Sequence, residues 1–491
     1  MQVPILSGIY ADTTSDYRTS YPVNLVPVPK DTGISKGYLR TADGIAHFAS
    51  TNGLDRGGIV WGGVLYRVCG SKFVSVSASG HVTELGDVGS GGRCSFDYSF
   101  DRLAVSSNRG FYYFNGLTLA KVTDGDLGDV IDHVWIDGYH VTTDGEFIVV
   151  TELNDPTAVN PLKYGSSEFD PDSILGLLKV RNELVVLNRH SIEVFDNVGG
   201  ELFPFQRIDG AVIQKGIVGS HAKCMFAQTF AFVGGGRNEP ISVYLGASGG
   251  AQKIATREIE SIISQYTESQ LSGMVVEARE HETHQCLYIH LLNETLVYDL
   301  AGSSAAGQPV WFILKSGSAA NQQYRAINFV YAYNKWIVGD KTTNKLGYMT
   351  DSTFSQYDQP TGWRFDTALI YNEGMGAIIN SVELVGTVGR AATIYNEGMG
   401  VIINSVELVG TVGRAATGQQ PSVFCSYTKD GLTWSQERSR SAGLRGDYAH
   451  RMTWHRFGVR FGHWLGLRFR GVGSTTLAIP RLEIQVEPLN A

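Results

Sequence analysis

The sequence is poor in cysteine, in long apolar runs, in helical periodicity and in basic charge, and each shortage removes a class of answer. Its five cysteines, Cys69, Cys94, Cys224, Cys286 and Cys425, are scattered, odd in number and without a C-x-x-C pair. That spacing excludes a disulfide framework and a cysteine-rich zinc site. No run of 18 apolar residues occurs, so no helix is expected to span a membrane. The opening MQVPILSGIYADTTSDYR has no basic segment leading into an apolar core, so no signal peptide is expected. The chain is expected to stay in a reducing cytosol, or to leave it by lysis. One convincing helix stands out, IATREIESIISQYTESQLSGM at 254–274, where Ile259, Ile262, Ile263 and Tyr266 form an apolar stripe. Thr267 and Gln270 then fit a capping box for a second short turn. So little helix rules out a doubly wound α/β fold.

Charge is short on the positive side, with a formal net of −8, and it is uneven. Between Trp434 and Arg470, eight arginines stand against Glu437 and Asp447, a local +6 that leaves about −14 elsewhere. An acidic chain is a poor general ligand for nucleic acid, although one basic segment suits an acidic partner.

What the chain has is glycine, 58 residues, and aromatics, 53, in a length of 491 that suggests two or three domains. With abundant valine, that composition favours strands joined by tight turns. Short apolar strands recur: LYRVCG from 65, LAVSSN from 103, HVTTDG from 140, LVVLNR from 184, FAFVGG from 230, LYIHLL from 287 and WIVGDK from 336. The intervals are 38, 37, 44, 46, 57 and 49 residues, and a partner strand such as GFYYFNG or TLVYDL follows most of them. A small antiparallel sheet cannot bury its faces alone, and radial stacking of such units at about 40–50 residues each gives a β-propeller. The fold class is therefore all-β: a propeller of six or seven blades, one closed by strands from both chain ends, plus a β-rich platform. A pair of β-sandwiches is the alternative architecture. We divide the chain into an N-terminal arm belonging to the platform (1–45), the propeller (46–361) and a C-terminal β domain (362–491).

The C-terminal part contains a tandem duplication. Residues 370–393, IYNEGMGAIINSVELVGTVGRAAT, recur at 394–417 with one change, Ala377 to Val401. Two copies cannot make a solenoid, and each reads as one strand with its turns. One copy is expected to hold a sheet position and the other to be peripheral. Further on, RFGVRFGHWLGLRFR has period-2 patterning: Phe457, Val459, Phe461, Leu465, Leu467 and Phe469 lie on one face. Arg456, Arg460, Arg468 and Arg470 lie on the other, and they are the candidate subunit or partner interface, because arginine forks pair specifically with carboxylates. A phosphate grip and a solvated strand face are the other readings of these arginines.

No catalytic constellation survives. Gly246-Ala-Ser248-Gly-Gly250 matches G-x-S-x-G between a strand and the helix, but a nucleophile elbow needs a parallel sheet with several crossover helices. His281, Glu282 and His284 are one residue short of the H-E-x-x-H spacing, and strand-like segments flank them. The loop GDVGSGGR at 86–93 lacks the G-K-[ST] of a phosphate cradle. TKDGLTW at 428–434 is similar to the Asp-box of sialidases but one residue short, and Asp430-Gly431 reads as a hairpin turn. No catalytic, cofactor-binding or metal-binding residue is expected.

Several stretches together resemble one family, the packaged-DNA stabilisation proteins of short-tailed bacteriophages. They are YPVNLVPVPK with GYLRTADGI, LYRVCGSKF followed by GDVGSGGR, IQKGIVGSHAKCMFAQTFAFV, IATREIESIISQYT, VGDKTTNKLG with SQYD, TKDGLTW, and RMTWHRFGVRFGHWLGLRFR. The match is collinear over nearly the whole chain. The resemblance implies a tail hub or nozzle: a homo-hexameric ring in the virion's short tail, docked below the portal and its adaptor ring. It implies a ring that continues the channel for double-stranded DNA without sequence-specific binding, helps retain packaged DNA, and carries the tail needle and tailspikes. It implies a structural protein made in the host cytoplasm, with no enzyme activity, no cofactor and no membrane insertion. The second copy of the 24-residue unit departs from that family's pattern. A carbohydrate-binding or glycan-hydrolysing propeller is the alternative, and its catalytic version would show a deep, charged central pocket.

Overall fold

All seven apolar beats are second strands of seven small antiparallel sheets, and the partner strands after them are the third strands. The computed structural model describes residues 21–29, 37–367 except 154 and 248, and the segments 370–371, 377–384, 400–409, 421–428, 433–444, 452–455, 460–461, 464–473, 478–479 and 481–489. Blade 1 runs from Asp55–Trp61 to Val82–Asp87, blade 2 from Ser95–Tyr98 to Leu119–Lys121, and blade 3 from Asp132–Ile136 to Val159–Ser166. Blade 4 runs from Ile174–Val180 to Phe205–Arg207, blade 5 from Gly216–Ile217 to Gly250–Lys253, and blade 6 from Val275–His281 to Gln322–Gln323. Blade 7 takes Ala326–Ala332, Lys335–Asp340 and Lys345–Thr350, and its fourth strand is Gly44–Ser50 from the N-terminal side. The innermost strands neighbour one another in a closed ring, the last touching the first. The propeller has seven blades.

Middle strands are buried on both faces because each blade lies between two others, which is why they read as continuous apolar runs. Leu103–Ser107 is buried throughout, as is Leu184–Asn188 within its strand. Phe232, fully buried in the cluster between blades 4, 5 and 6, is one such anchor. Its truncation to alanine costs about 3–5 kcal/mol, the lost transfer energy plus a cavity. Two-residue turns with positive φ set the hairpin registers, at Gly62–Gly63 and Asp137–Gly138 as the turn type favours. Ala227–Gln228 and Tyr333–Asn334 adopt the same geometry without glycine.

Two devices close the ring. The strand Gly44–Ser50 pairs antiparallel with Lys345–Thr350, a contact some 300 residues apart in sequence. On the inside, the fully buried Arg67 of blade 1 donates two hydrogen bonds to Asp55, both 2.7 Å, and a third, 2.8 Å, to the carbonyl of Asn328 in blade 7. Asn328 returns one from Nδ2 to Asp55 Oδ2 at 2.7 Å. The guanidinium's Nε and Nη2 and the carboxylate thus pair where neither meets water, while Nη1 stays buried without a partner.

In the C-terminal part Ala478–Ile479 pairs with Gly37–Thr41 of the N-terminal arm, and most described strands lie in two sheets. One has the order Thr361–Asp366, Trp464–Gly473, Ser422–Thr428, Arg438–Ser441. The other has Met452–His455, Gly400–Val409, Arg481–Leu489, Ala377–Leu384 and Arg460–Phe461. Trp454, fully buried, meets Phe469 of the first sheet edge-on at 5.7 Å and joins the two. This part is spliced to the propeller at blade 6: Gly362 N donates to Gly317 O at 3.0 Å, and Val23 bridges Ile313 of blade 6 in parallel and Arg364 antiparallel. Asn24 extends the splice, with its Nδ2 donating to Gly362 O at 2.6 Å and its Oδ1 accepting from Lys315 N at 2.8 Å.

Two expectations are corrected. The helix at 254–274 is two, Arg257–Ile263 and Glu268–Ser272, because the Thr267–Gln270 capping box starts a new helix instead of continuing the first. The duplicated unit has no peripheral copy: its strands Ala377–Leu384 and Gly400–Val409 both lie in one sheet. Equivalent residues of the two copies share partners, Ile378 and Ile402 both opposing Glu487, and Ile379 and Ile403 both opposing Val486. Near-identical sequence presents the same backbone register twice, so both copies suit the same central strand.

Candidate functional site

A propeller binds ligands most often where its inner strands converge, so the axis is the first place to look. Here it is filled by charged side chains that find one another. Arg93, from the connector between blades 1 and 2, crosses to Glu277 of blade 6, Nη2 to Oε1 at 2.6 Å. Lys223 of blade 5 reaches Asp132 of blade 3 at 2.8 Å, passing over blade 4. Gly176 of blade 4 permits that crossing: a side chain there would run into Lys223 Cε and lie 3.1 Å from Asp132 Oδ2. Asp132 also accepts from Leu177 N at 2.9 Å.

The surroundings tune these groups. Burial works to raise the Glu277 pKa, but Arg93 and His290 hold it down at about 2. Burial lowers His290 to about 4, so the ring is neutral at pH 7. Its Nδ1 lies 3.0 Å from Thr295 Oγ1 and 3.3 Å from Lys341 Nζ, and its Nε2 is 3.3 Å from Glu277. Burial likewise lowers Lys341 to about 8. Among the described residues the charged groups that meet at the axis are thus held in internal pairs.

The glycine-rich loop at 86–93 does the reverse of cradling phosphate. Its carbonyls at Gly89 and Gly92 accept from Arg56, both at 2.6 Å, and Gly70 O and Ser107 Oγ complete the shell at 2.8 Å. The Gly246–Gly250 stretch is the hairpin turn of blade 5, where Ala247 opposes Gly250, so no elbow forms; Ser248 lies outside the described residues. His281 and His284 oppose each other across another hairpin, not along a helix. His284 Nδ1 lies 2.6 Å from Asp299 Oδ2, and Cys286 is two residues on in the same strand. Burial, then Asp299, pushes that thiol far up, so this constellation offers no nucleophile. The cleft it lines, with Arg40, Asp43 and Arg279, has about 30 Å³ of room, space for a water or two. Among the described residues no group of His, Cys, Asp and Glu is placed to hold a metal, and no helix is long and apolar enough to cross a membrane.

The arginine strand is partly committed within the chain. Arg468 forks onto Asp366, both contacts 2.9 Å, and covers the Trp434 ring at 3.8 Å. Arg470 forks onto Glu437, both 2.5 Å, above Phe424. Leu465, Leu467 and Phe469 on the opposite parity are fully buried. Arg456 lies outside the described residues, as does Asp430-Gly431; Arg460 sits on a short strand pairing with Ala377–Leu384. The TKDGLTW segment does join two paired strands, through the bridge Thr428–Trp434.

Sequence reasoning missed Arg93, Asp132, Lys223 and Glu277. Their signal was faint but present: charged residues inside or beside short strand-like segments, KCMF and VVEAREH, at the beat of the inner strands.

Residues 1–354 match the family described as "Bacteriophage P22 Gp10, beta-propeller", and residues 390–487 match "Bacteriophage P22 Gp10, beta-sandwich". The chain is 29% identical over 511 aligned positions to the tail hub protein gp10 of Salmonella phage P22, with 99% of each chain covered. Among solved structures, the Pan2 WD40 domain of Neurospora crassa is similar at TM-score 0.41 and 11% identity, covering 63% of this chain and 96% of its own. The N-terminal domain of Nup159 is similar at 0.39 and 10%, covering 66% and 97%. Residues 355–389, which hold most of the first copy of the duplication, fall between the two family segments.

Proposed function

The chain belongs to the family of bacteriophage P22 Gp10, and from that membership we propose that it is the tail hub of a short-tailed phage. It is a structural component of a virion tail. The observation that carries this is the collinear match to a tail hub protein from end to end, propeller and sandwich alike. In this reading six copies form a ring below the portal and its adaptor subunits, take the tail needle as a plug, and carry tailspikes around the rim. Residues 46–361 are its propeller unit, 362–491 its C-terminal β unit, and 1–45 belongs with the latter. The strand carrying Arg456, Arg460, Arg468 and Arg470 faces a subunit or partner, with Arg468 and Arg470 already braced from within. The chain is made in the host cytoplasm and has no enzyme activity.

The closed axis adds a physical constraint. Duplex DNA cannot thread a propeller whose centre is crossed by Arg93–Glu277 and Lys223–Asp132, so the conduit runs between subunits. A net charge of −8 suits a wall along which phosphate slides without being gripped. The test is removal: particles assembled without this chain should package DNA and then lose it, and supplying the chain in trans should restore retention. Particles that keep their DNA without it would refute the reading.

A further inference from the structure

Apolar side chains left in water are concentrated on one side of the propeller. In a four-stranded blade, the turn after the first strand and the turn after the third emerge on the same face. Those turns in blades 2, 3 and 4 hold Phe100, Leu117, Leu153, Val198 and Leu202, which are 95%, 86%, 53%, 56% and 56% exposed. Contacts run between the turns of neighbouring blades. Phe100 meets Trp135 of blade 3 edge-on at 5.7 Å, and Lys179 of blade 4 lies over Trp135 at 5.0 Å. Asn197, next to Val198, donates to Asp137 of the blade 3 turn at 3.0 Å. Side chains this exposed total on the order of 500 Å², at the upper end for the apolar patches of monomers and a large part of the ~800 Å² per partner of a stable interface.

Charge identifies what covers this face. Residues 95–207, which are blades 2 to 4, hold 18 Asp and Glu against 8 Lys and Arg, a net −10 in a chain whose total is −8. Two of these acids, Asp155 and Glu201, stand exposed in the same turns as Leu153 and Leu202. The basic counterpart is in the same chain, the +6 between Trp434 and Arg470, of which Arg468 is already paired with Asp366, and there Arg440 and Leu444 are exposed. The C-terminal part is spliced to blade 6, and in a ring of seven, blades 2 and 3 are each three blades away. An acidic, apolar face on blades 2 to 4 and a basic domain spliced to blade 6 make a head-to-tail pair, the kind of contact that closes into rings.

We propose that the blade 2–4 face receives the basic C-terminal domain of a second copy, and that this contact joins neighbouring subunits. The proposal rests on the tail-hub reading and adds the surface by which the ring forms. The test places a photo-crosslinking benzoylphenylalanine at position 100 of the full chain, in tails assembled during infection with the chain supplied in trans. An aromatic replaces a fully exposed aromatic, so the fold is undisturbed. Mass spectrometry of the adduct should find residues within 434–473 of another copy. An adduct on a different tail protein, or none from assembled tails, overturns the proposal and leaves the hub reading standing. Absence of the wild-type chain from tails sinks the hub reading itself. In parallel, Phe100→Asp with Leu117→Asp should lower incorporation into tails at least tenfold while the free chain's urea midpoint is unchanged; normal incorporation contradicts the proposal.

Discussion

Replacing Glu277 with alanine removes the carboxylate that Arg93, His290 and Lys341 all face at the propeller axis. Glu277 is only 5% exposed, and breaking a buried ion pair leaves a cation desolvated and uncompensated, at about 3–5 kcal/mol. The Arg93 side chain is 25% exposed, so water takes up part of that loss and the expected cost falls to about 2–3 kcal/mol. The control is Glu84→Ala, which breaks the Lys72–Glu84 pair with side chains 37% and 44% exposed, where water screens the charges and no resolvable change is expected. Urea unfolding of the full chain, followed by fluorescence and circular dichroism, reads both variants against wild type. Adding Arg93→Met to Glu277→Ala should recover part of the loss, because the orphaned cation is then gone as well. If Glu277→Ala costs no more than Glu84→Ala, the axis is hydrated and open, and the proposal that DNA passes between subunits loses its physical basis.

Three other outcomes are expected. Burial lowers His133 and His290 to about 4, and His140 and His221 to about 3, so each is neutral in the fold and gains a proton on unfolding below its ordinary 6.5. Stability is thus complete above about pH 6.5 and falls as pH drops toward 4, by up to about 1.4 kcal/mol per unit for each histidine; a urea midpoint flat from pH 7 to 5 contradicts this. Deleting residues 1–50 removes Gly44–Ser50 from blade 7 and bares the edge of Lys345–Thr350, so light scattering should report aggregation, whereas deleting 1–20 should leave a monomer. Deleting either 370–393 or 394–417 yields chains that differ only by Ala or Val at one position, and the remaining copy keeps the register set by Arg481–Leu489. Both should fold with the propeller's thermal transition unmoved, and loss of that transition in either would contradict the assignment of both copies to one sheet.

How much was legible follows from where each strand sits. Second and third strands were readable because neighbouring blades cover both faces and leave only apolar choices, as in Leu103–Ser107. Inner strands were not, because their charges answer one another across the axis: Lys223 explains Asp132 only once Gly176 is seen to make way. Gly44–Ser50 gives no local sign of belonging to blade 7, since its partner is far along the chain. The arginine strand showed its alternation, yet not that Asp366 and Glu437 already hold two of its forks. The helix failed at one point, where the Thr267–Gln270 box that was recognised as a start also had to be read as a stop.

The most direct test of the central claim is cryo-electron microscopy of the chain assembled with its portal and adaptor rings. The account predicts a sixfold ring of this chain beneath the adaptor, each propeller closed at its own axis and the open passage lying between the six. A tail in which this chain is absent, or in which the DNA path runs through the centre of a propeller, would contradict it.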